Sequence, residues 1–563
     1  MQWKIQEPDR DIVEKLTSSL NVPEPIAVLL ANRGISTYDE AKDFFRPDWN
    51  GLHDPMLMKG MREAVERIGT AISHNEKILL YGDYDVDGTT AVAFTYLFLK
   101  DFYARLDYYI PDRHTEGYGI SMQGLEYARL NGCSLVIALD CGIRSNEIVK
   151  LARKSNIDFI ICDHHLPGDE LPDASAILNP KQPGCDYPFM DLSGCGIAFK
   201  LAQACALTFH IPDKVLERGL DLVALSIACD IVPIRGENRI LTHFGLRKLN
   251  RDPLPGLRAL IRVSGTRLPV TVSDLVFRLG PRINAAGRIT HAREAVDAFI
   301  SDSEEAGSWL AQSLDDHNET RRRHDKDTFD MAVELLRSEP ATDRLKTSVV
   351  FHPDWHKGVV GIVASRLIEE FYRPTVVLTR SKDGLICGSA RSVDGFDLYA
   401  ALEACAGELV TFGGHKYAAG LTLKESNLKA FRKKFEDAVS RSIKAEQLEP
   451  QLTIDAELDL RDLSGKVMRL IAQMEPFGPG NPRPMFVSRD VTCTRDPRIV
   501  GGDHLKCSFR TERSLPMDAI GFRMAARKAE IDGQPFDICY SPEENTWGGQ
   551  RSIQLNLKDF RSH

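Results

Sequence analysis

Three observations predict an α/β protein built from several domains. β-like and α-like runs alternate over residues 61–235, the signature of a parallel sheet wrapped by helices. A second α/β alternation occupies about 345–445, and a long Pro-free segment separates the two. After about 450 the runs shorten to FVSRDVTCT, HLKCSFR, FDICY and SIQLNLKDF between polar turns, a pattern that fits an OB-like β-barrel, a common platform for single strands.

At 563 residues the chain exceeds one hydrophobic core, and 43% hydrophobic with 27% charged residues is ordinary for a globular protein. The start, MQWKIQEPDRD, lacks a basic-then-apolar signal, and no run of about 18 apolar residues occurs. A cytoplasmic protein without a membrane span is therefore expected. The 12 cysteines form no C-x-x-C pair and read as reduced core residues. A net charge of -9 argues against indiscriminate nucleic-acid binding but leaves a local basic track open.

Residues 1–60 read as a helical leader punctuated by Pro23, Pro25, Pro47 and Pro55, with no chemistry of their own. The first lobe, 61–300, has expected strands at Ile78–Tyr81, Leu106–Ile110, Leu135–Leu139, Asp158–Cys162 and Ala176–Leu178. Ligands of such sheets gather outside the carboxyl ends of the strands. The first strand runs into Asp83, Asp85 and Asp87, whose alternate spacing lets three carboxylates converge on one side of an extended loop. Oxygen clusters of this kind suit hard divalent cations. An EF-hand is excluded because its twelfth position is Phe94, and a P-loop because the lysine is missing at Gly88-Thr89-Thr90.

The third strand ends in Asp140, the fourth in Asp163-His164-His165, and Asp230 closes the apolar run LVALSIACD. Singly, each is more often a cap or turn residue. Together they fit one site. Adjacent histidines in extended chain point opposite ways, so one suits a metal and the other a substrate, with Asp163 orienting a ring.

YGDYDVDGTT, ALDCGI, ICDHHLPG, SGCGIAFKL, CDIVPI, LGPRINAAGRI, GSARS and GGHKYAAG, in this order, resemble the DHH phosphoesterase superfamily, and within it the branch that degrades single-stranded DNA from the 5′ end. The resemblance implies a DHH catalytic lobe and a DHHA1 substrate-binding lobe (345–445), joined by a connecting helix (301–340) and followed by the OB-like unit (450–563). It implies two divalent cations, Mn2+ or Mg2+, with Asp83 and Asp85 on one, Asp87, His164 and Asp230 on the other, and Asp140 between them. Many relatives carry a metal-binding histidine where Tyr81 stands, which leaves Asp83 to supply that ligand. His165 would face the scissile phosphate, and Asp140 and Asp163 complete the catalytic set. Arg113, Arg282, Ser389, Arg391, Gly414 and His415 are the implied phosphate contacts. The implied partners are single-stranded DNA with a 5′ end, a helicase and a single-strand-binding protein, and a monomer is expected.

For Arg288, surface ion pairing and phosphate contact are equally open. The segment Ser303–Arg337 is polar through DDHNETRRRHDKDT and reads as a helix wet all round at its middle, with Arg321–Arg323 as solvated charges. Gly413-Gly414-His415 reads as opening a helix, KYAAG, whose N-terminus would favour an anion. In the last unit, Lys506, Arg510, Arg523 and Arg551 are candidate backbone contacts. Two rivals stand: a phosphodiesterase for short oligonucleotides or cyclic dinucleotides, and a non-catalytic relative that only binds single strands.

Overall fold

The structure, a computed structural model, describes residues 1–339, 344–531, 533–547 and 550–562. The chain opens with strand β1 (Gln2–Ile5) and helices α1 (Arg10–Leu20), α2 (Glu24–Asn32) and α3 (Tyr38–Phe45). A reciprocal capping box between Thr37 and Glu40 sets the start of α3.

The first lobe is a five-stranded sheet of β2 (Lys77–Gly82), β3 (Leu106–Tyr109), β4 (Cys133–Leu139), β5 (Asp158–Cys162) and β6 (Ala176–Leu178). The order is β3-β2-β4-β5-β6 and every pairing is parallel. Strand order reverses at β2, which puts the switch-point crevice beside the carboxyl ends of β2 and β4. Alternation along the strands splits the core: Ile78, Leu80, Leu135 and Ile137 pack beneath α4 (Val86–Leu99), α5 (Gly194–Phe209) and α6 (Leu220–Cys229). Leu79, Tyr81, Val136 and Phe159 fill the opposite face.

A π-type turn over Leu275–Leu279 leads into α7 (Gly280–Ile289), and α8 (Glu304–Ser338) follows. At 35 residues, α8 spans about 50 Å. Its amino-terminal half joins the first lobe's core through Ala311 and Leu314, and its other end joins the second lobe through Ala332 and Leu336. The middle is not wet all round: Asn318, Asp325 and Thr328 are buried, continuing one stripe at three- and four-residue spacing.

The second lobe orders β7 (Ser348–Phe351), β8 (Thr375–Arg380), β9 (Ile386–Arg391), β10 (Leu409–His415) and β11 (Ala418–Leu423) as β10-β11-β9-β8-β7, with α9 (Val360–Phe371) between β7 and β8. The expected helix at Gly413–Gly420 is instead a β-hairpin, because Gly413, Gly414 and His415 pair with Gly420, Ala419 and Ala418, and β11 pairs with β9. Sheet pairing overrides the helical preference of the alanines.

The last unit contains β12 (Gln451–Ile454), β13 (Ala456–Glu457), β14 (Phe486–Cys493), β15 (Arg498–Val500), β16 (His504–Arg510), β17 (Met517–Gly521), β18 (Phe536–Trp547) and β19 (Gln550–Ser562). Pairings β14–β18, β18–β19, β19–β17, β17–β16 and β16–β14 close a ring, the OB-type barrel that the short strands predict. The amino-terminal segment belongs to this unit. Its β1 pairs in parallel with β12, and Val13, Leu16, Ile26 and Leu30 share a core with Phe486, Phe509, Tyr540 and Phe560.

Candidate active site

The loop after β2 turns directly into α4, with Asp85 as its N-cap accepting from Gly88 N–H at 3.1 Å. Gly88 must be glycine, since a Cβ there would lie 2.4 Å from the Asp83 carbonyl oxygen. Asp87, on the first turn of α4, accepts from the backbone N–H of Gly194 (2.6 Å) and Cys195 (2.8 Å) at the start of α5, and from the Ser226 hydroxyl (2.6 Å). These bonds pin three helices at one point.

Asp140 follows β4 in a left-handed conformation (φ +61°), which Asp tolerates better than most residues. The His164 Nε2 atom lies 3.3 Å from Asp140 Oδ1, 3.6 Å from Asp230 Oδ2 and 3.8 Å from Asp87 Oδ2. Potential ligand atoms of Asp83, Asp85 and Asp140 fall within 4.8 Å of one another, as do those of Asp87, His164 and Asp230. The two rings do not point opposite ways as extended chain would have them: the His165 ring packs beside that of His164, centroids 4.5 Å apart, and its Nδ1 lies 3.9 Å from Asp140 Oδ1 and makes a 2.7 Å hydrogen bond to Asp163, which also accepts from the Ile143 and His165 backbone N–H groups. The other nitrogen, Nε2, lies 3.4 Å from the Tyr118 hydroxyl.

Two properties of the cluster bear on a cation. First, Asp83 Oδ1, Asp140 Oδ1, Asp230 Oδ2 and both ring nitrogens of His164 are buried without a hydrogen-bond partner among the described residues. Orphaned polar atoms of this number are costly unless an ion satisfies them. Second, burial and the neighbouring carboxylates push Asp83, Asp140 and Asp230 well above the ordinary carboxylate range, and raise Asp85. Burial lowers His164 towards its neutral, ligating form. The donor set, mostly carboxylate with one imidazole, fits Mn2+ or Mg2+.

Arginines gather on the side facing the second lobe. The Arg113 guanidinium lies over the Tyr84 ring at 4.9 Å, and Arg288 donates to the Gly358 carbonyl at 3.0 Å. Burial, then repulsion from Arg113, Arg321 and Arg391, pushes Arg288 down to about 9. Arg391 is lowered by burial and by Arg113. It donates to the Ser389 hydroxyl at 2.7 Å, beside the start of α9, where a Cβ on Gly361 would meet Arg391 at 3.0 Å and Ser389 at 3.2 Å. The strand register puts Ser389, Arg391 and His415 on one face of the sheet, with glycines 413 and 420 leaving the row beside Ser389 bare. Crowded, desolvated cations of this kind are relieved by an anion.

Three family models match the chain: the DHH family N-terminal domain over 77–227, the DHHA1 domain over 343–441, and the RecJ OB domain over 454–559. The single-stranded-DNA-specific exonuclease RecJ of Bacillus subtilis is 38% identical over 99% of this chain and 70% of its own length. That of Escherichia coli is 32% identical over the whole of both. The chain belongs to the RecJ family. The crystal structure of Thermus thermophilus RecJ in complex with Mn2+ superposes with a TM-score of 0.85 at 26% identity, covering 100% of this chain and 80% of that one.

Several assignments that the RecJ-type motifs suggested look different in three dimensions. Arg282 meets the arginine cluster only at its margin, through its charge on Arg321. It is buried, donating to Asp315 of α8 at 2.7 Å and to the Arg278 carbonyl at 2.6 Å, and Arg288 stands in the cluster instead. Arg321 is not a free solvated charge either, since it donates to Asn318 at 2.6 Å and contributes to the field at Arg288. Gly414 and His415 sit on an exposed hairpin rather than at a helix N-terminus. Tyr81 turns to the face of the sheet away from the carboxylates, where its hydroxyl donates to the Gly119 carbonyl at 3.0 Å. Tyr118, which the sequence did not single out, places its hydroxyl 3.2 Å from the His165 ring. Its only signal is the pair of flanking glycines, 117 and 119, both at positive φ. Lys506, Arg510 and Arg523 lie on or beside the barrel strands, and the Arg551 side chain falls outside the described residues.

Proposed function

We propose that this chain is a metal-dependent exonuclease that degrades single-stranded DNA from its 5′ end to 5′-mononucleotides, in DNA recombination and repair. The observation that carries the reading is the juxtaposition of the orphaned carboxylate–histidine cluster with the arginine group around Ser389 and Arg391. Asp83, Asp85 and Asp140 would hold one divalent cation and Asp87, His164 and Asp230 a second, with Asp140 shared. Bound there, Mn2+ or Mg2+ supplies Lewis-acid stabilisation of the charge that builds on the scissile phosphate.

The protein's own groups do the rest. Burial opposes both shifts, yet the hydrogen bond and charge between the pair hold Asp163 below its ordinary value and His165 above its own. That pairing favours the protonated ring, so His165 can serve as the proton donor from Nε2 to the departing 3′ oxygen. Arg113, Arg288, Ser389 and Arg391 bind the terminal phosphate, which fixes polarity, and His415 and Gly414 border the approaching strand. The barrel adds a single-strand platform. The enzyme works as a cytoplasmic monomer, with a helicase and a single-strand-binding protein supplying its substrate. The test is a 5′-labelled single strand incubated with wild type and with Asp140→Asn, with and without Mn2+. Mononucleotides released from the 5′ end by wild type alone support the reading, and release from the 3′ end overturns the polarity. Arg391→Ala should lose more activity on a 5′-phosphorylated strand than on a 5′-hydroxyl one.

A further inference from the structure

The segment that carries both histidines is itself held in an unusual way. The β5–β6 ladder stops at Cys162 and Leu178, and one more bond, from Asp163 N–H to the Leu178 carbonyl (3.0 Å), closes it. Beyond that point β6 continues into Asn179-Pro180-Lys181, and Pro180 has no N–H with which to extend the pairing. The backbone carbonyls of His164 and His165 are served by side chains instead. Lys181 Nζ donates to the His164 carbonyl at 2.6 Å, and Asn179 Nδ2 donates to the His165 carbonyl at 2.9 Å. The two donors are tied together, because Asn179 Oδ1 accepts from Lys181 N–H at 2.8 Å. Asn179 is fully buried and Lys181 half-buried, so the bonds are shielded from competing water.

Resting on the metal-centre reading above, we infer that Asn179 and Lys181 are positioning residues: a two-pronged clamp that fixes the His164–His165 backbone and thereby the aim of both rings. Neither side chain ligates the cluster. Their hydrogen bonds act through two carbonyls on the imidazoles, and the Lys181 charge also reaches His164 and Asp230, where its loss alone would favour cation binding, the opposite of what loss of the clamp does. A lysine serves here because its long stem reaches past the turn and its ammonium forms a strong bond to a single carbonyl.

The test compares wild type, Lys181→Met, Lys181→Arg and Asn179→Asp, all as the full chain. Lys181→Met keeps the stem and loses the donor, and Asn179→Asp keeps the acceptor for Lys181 N–H but loses the donor to His165. Mn2+ binding is read without DNA by electron paramagnetic resonance, and kcat and KM are read on a single strand. Loss of a group that orients metal ligands costs about 10- to 100-fold in metal affinity or activity, and Lys181→Met should lose at least about tenfold in kcat and in Mn2+ affinity. KM should stay within about twofold, Lys181→Arg should recover most of the loss, and Asn179→Asp should reduce kcat as Lys181→Met does. Unchanged Mn2+ affinity and kcat in both Lys181→Met and Asn179→Asp would overturn the clamp while leaving the metal centre standing. A rise in KM alone would overturn it in favour of Lys181 touching DNA. Wild type that binds no Mn2+ would remove the metal centre and the clamp together.

Discussion

Asp140 concentrates the site's conflicts in one residue. It sits in the left-handed region, packs against the start of α5 so closely that a Cβ on Gly194 would lie 2.6 Å from its own, and faces Asp83, Asp85, Asp87 and Asp230. Replacement by alanine would mix lost charge with backbone strain, whereas Asn accepts the same φ. Asp140→Asn is therefore expected to abolish nuclease activity yet raise the melting temperature of metal-free protein by roughly 2–4 °C, the equivalent of about 1 kcal/mol for a domain of this size. A fall in melting temperature without metal would show that the carboxylate is not repelled. The same crowding sets a pH dependence. Asp83, Asp85, Asp140 and Asp230 have folded-state values above those of unfolded chain, so their contribution to stability is full below the ordinary carboxylate range and is lost as pH rises through the raised values. A divalent cation binds the ionised forms and reverses that loss. The gain in melting temperature on adding Mn2+ should increase between about pH 5 and pH 8, and thermal shift assays at matched ionic strength check it; a gain that stays flat across this range would contradict the raised values.

Among the elements, the strands that deliver the ligands were legible because hydrophobic runs broken by Asp are visible without tertiary information. The fourth and fifth expected strands, Asp158–Cys162 and Ala176–Leu178, match the observed bounds. The hairpin at Gly413–Gly420 was not legible, since its alanines and lysine favour a helix and only the neighbour β9, some 25 residues upstream, makes it a strand. The choice between Arg282 and Arg288 was equally hidden. A helix turns 100° per residue, so residues six apart on α7 stand about 120° apart, and only one can face the second lobe. The buried polar stripe of α8 escaped a reading based on hydropathy because Asn318, Asp325 and Thr328 are buried by neighbours distant in sequence, among them Arg366, which meets Asp325 at 3.2 Å. The hairpin gives its own prediction. Gly414 has φ +149°, and an added Cβ would lie 2.3 Å from the Ala418 carbonyl oxygen, so Gly414→Ala should displace the strand end that carries His415. Strain of this kind costs about 1–3 kcal/mol. Raised KM for single strands with near-normal Mn2+ affinity is the expected result, measured by steady-state kinetics and metal titration, and normal KM would count against a role for the hairpin.

At the scale of the whole molecule, α8 fixes the separation of the two α/β lobes while the amino-terminal segment and the barrel form a third body. Because Leu16, Ile26, Leu29 and Leu30 are fully buried against that barrel, removing residues 1–48 should do more than delete a leader. Each exposed core leucine or isoleucine forfeits about 1.5–3 kcal/mol. The shortened chain is expected to be insoluble, and residues 450–563 expressed alone should aggregate but stay soluble when residues 1–48 are supplied in trans. Solubility of the lone 450–563 fragment at full yield would disprove the shared core. The parallel pairing of β1 with β12, which joins Gln2 to Gln451, also has a consequence for biosynthesis. During synthesis Gln2 cannot find its partner until about 450 more residues have been added, roughly 20–90 s later at about 5–20 residues per second. Over that interval both lobes that hold the nuclease centre can fold, while Leu16, Ile26, Leu29 and Leu30 wait without the barrel that buries them, an apolar surface open to wrong partners until the last strands arrive.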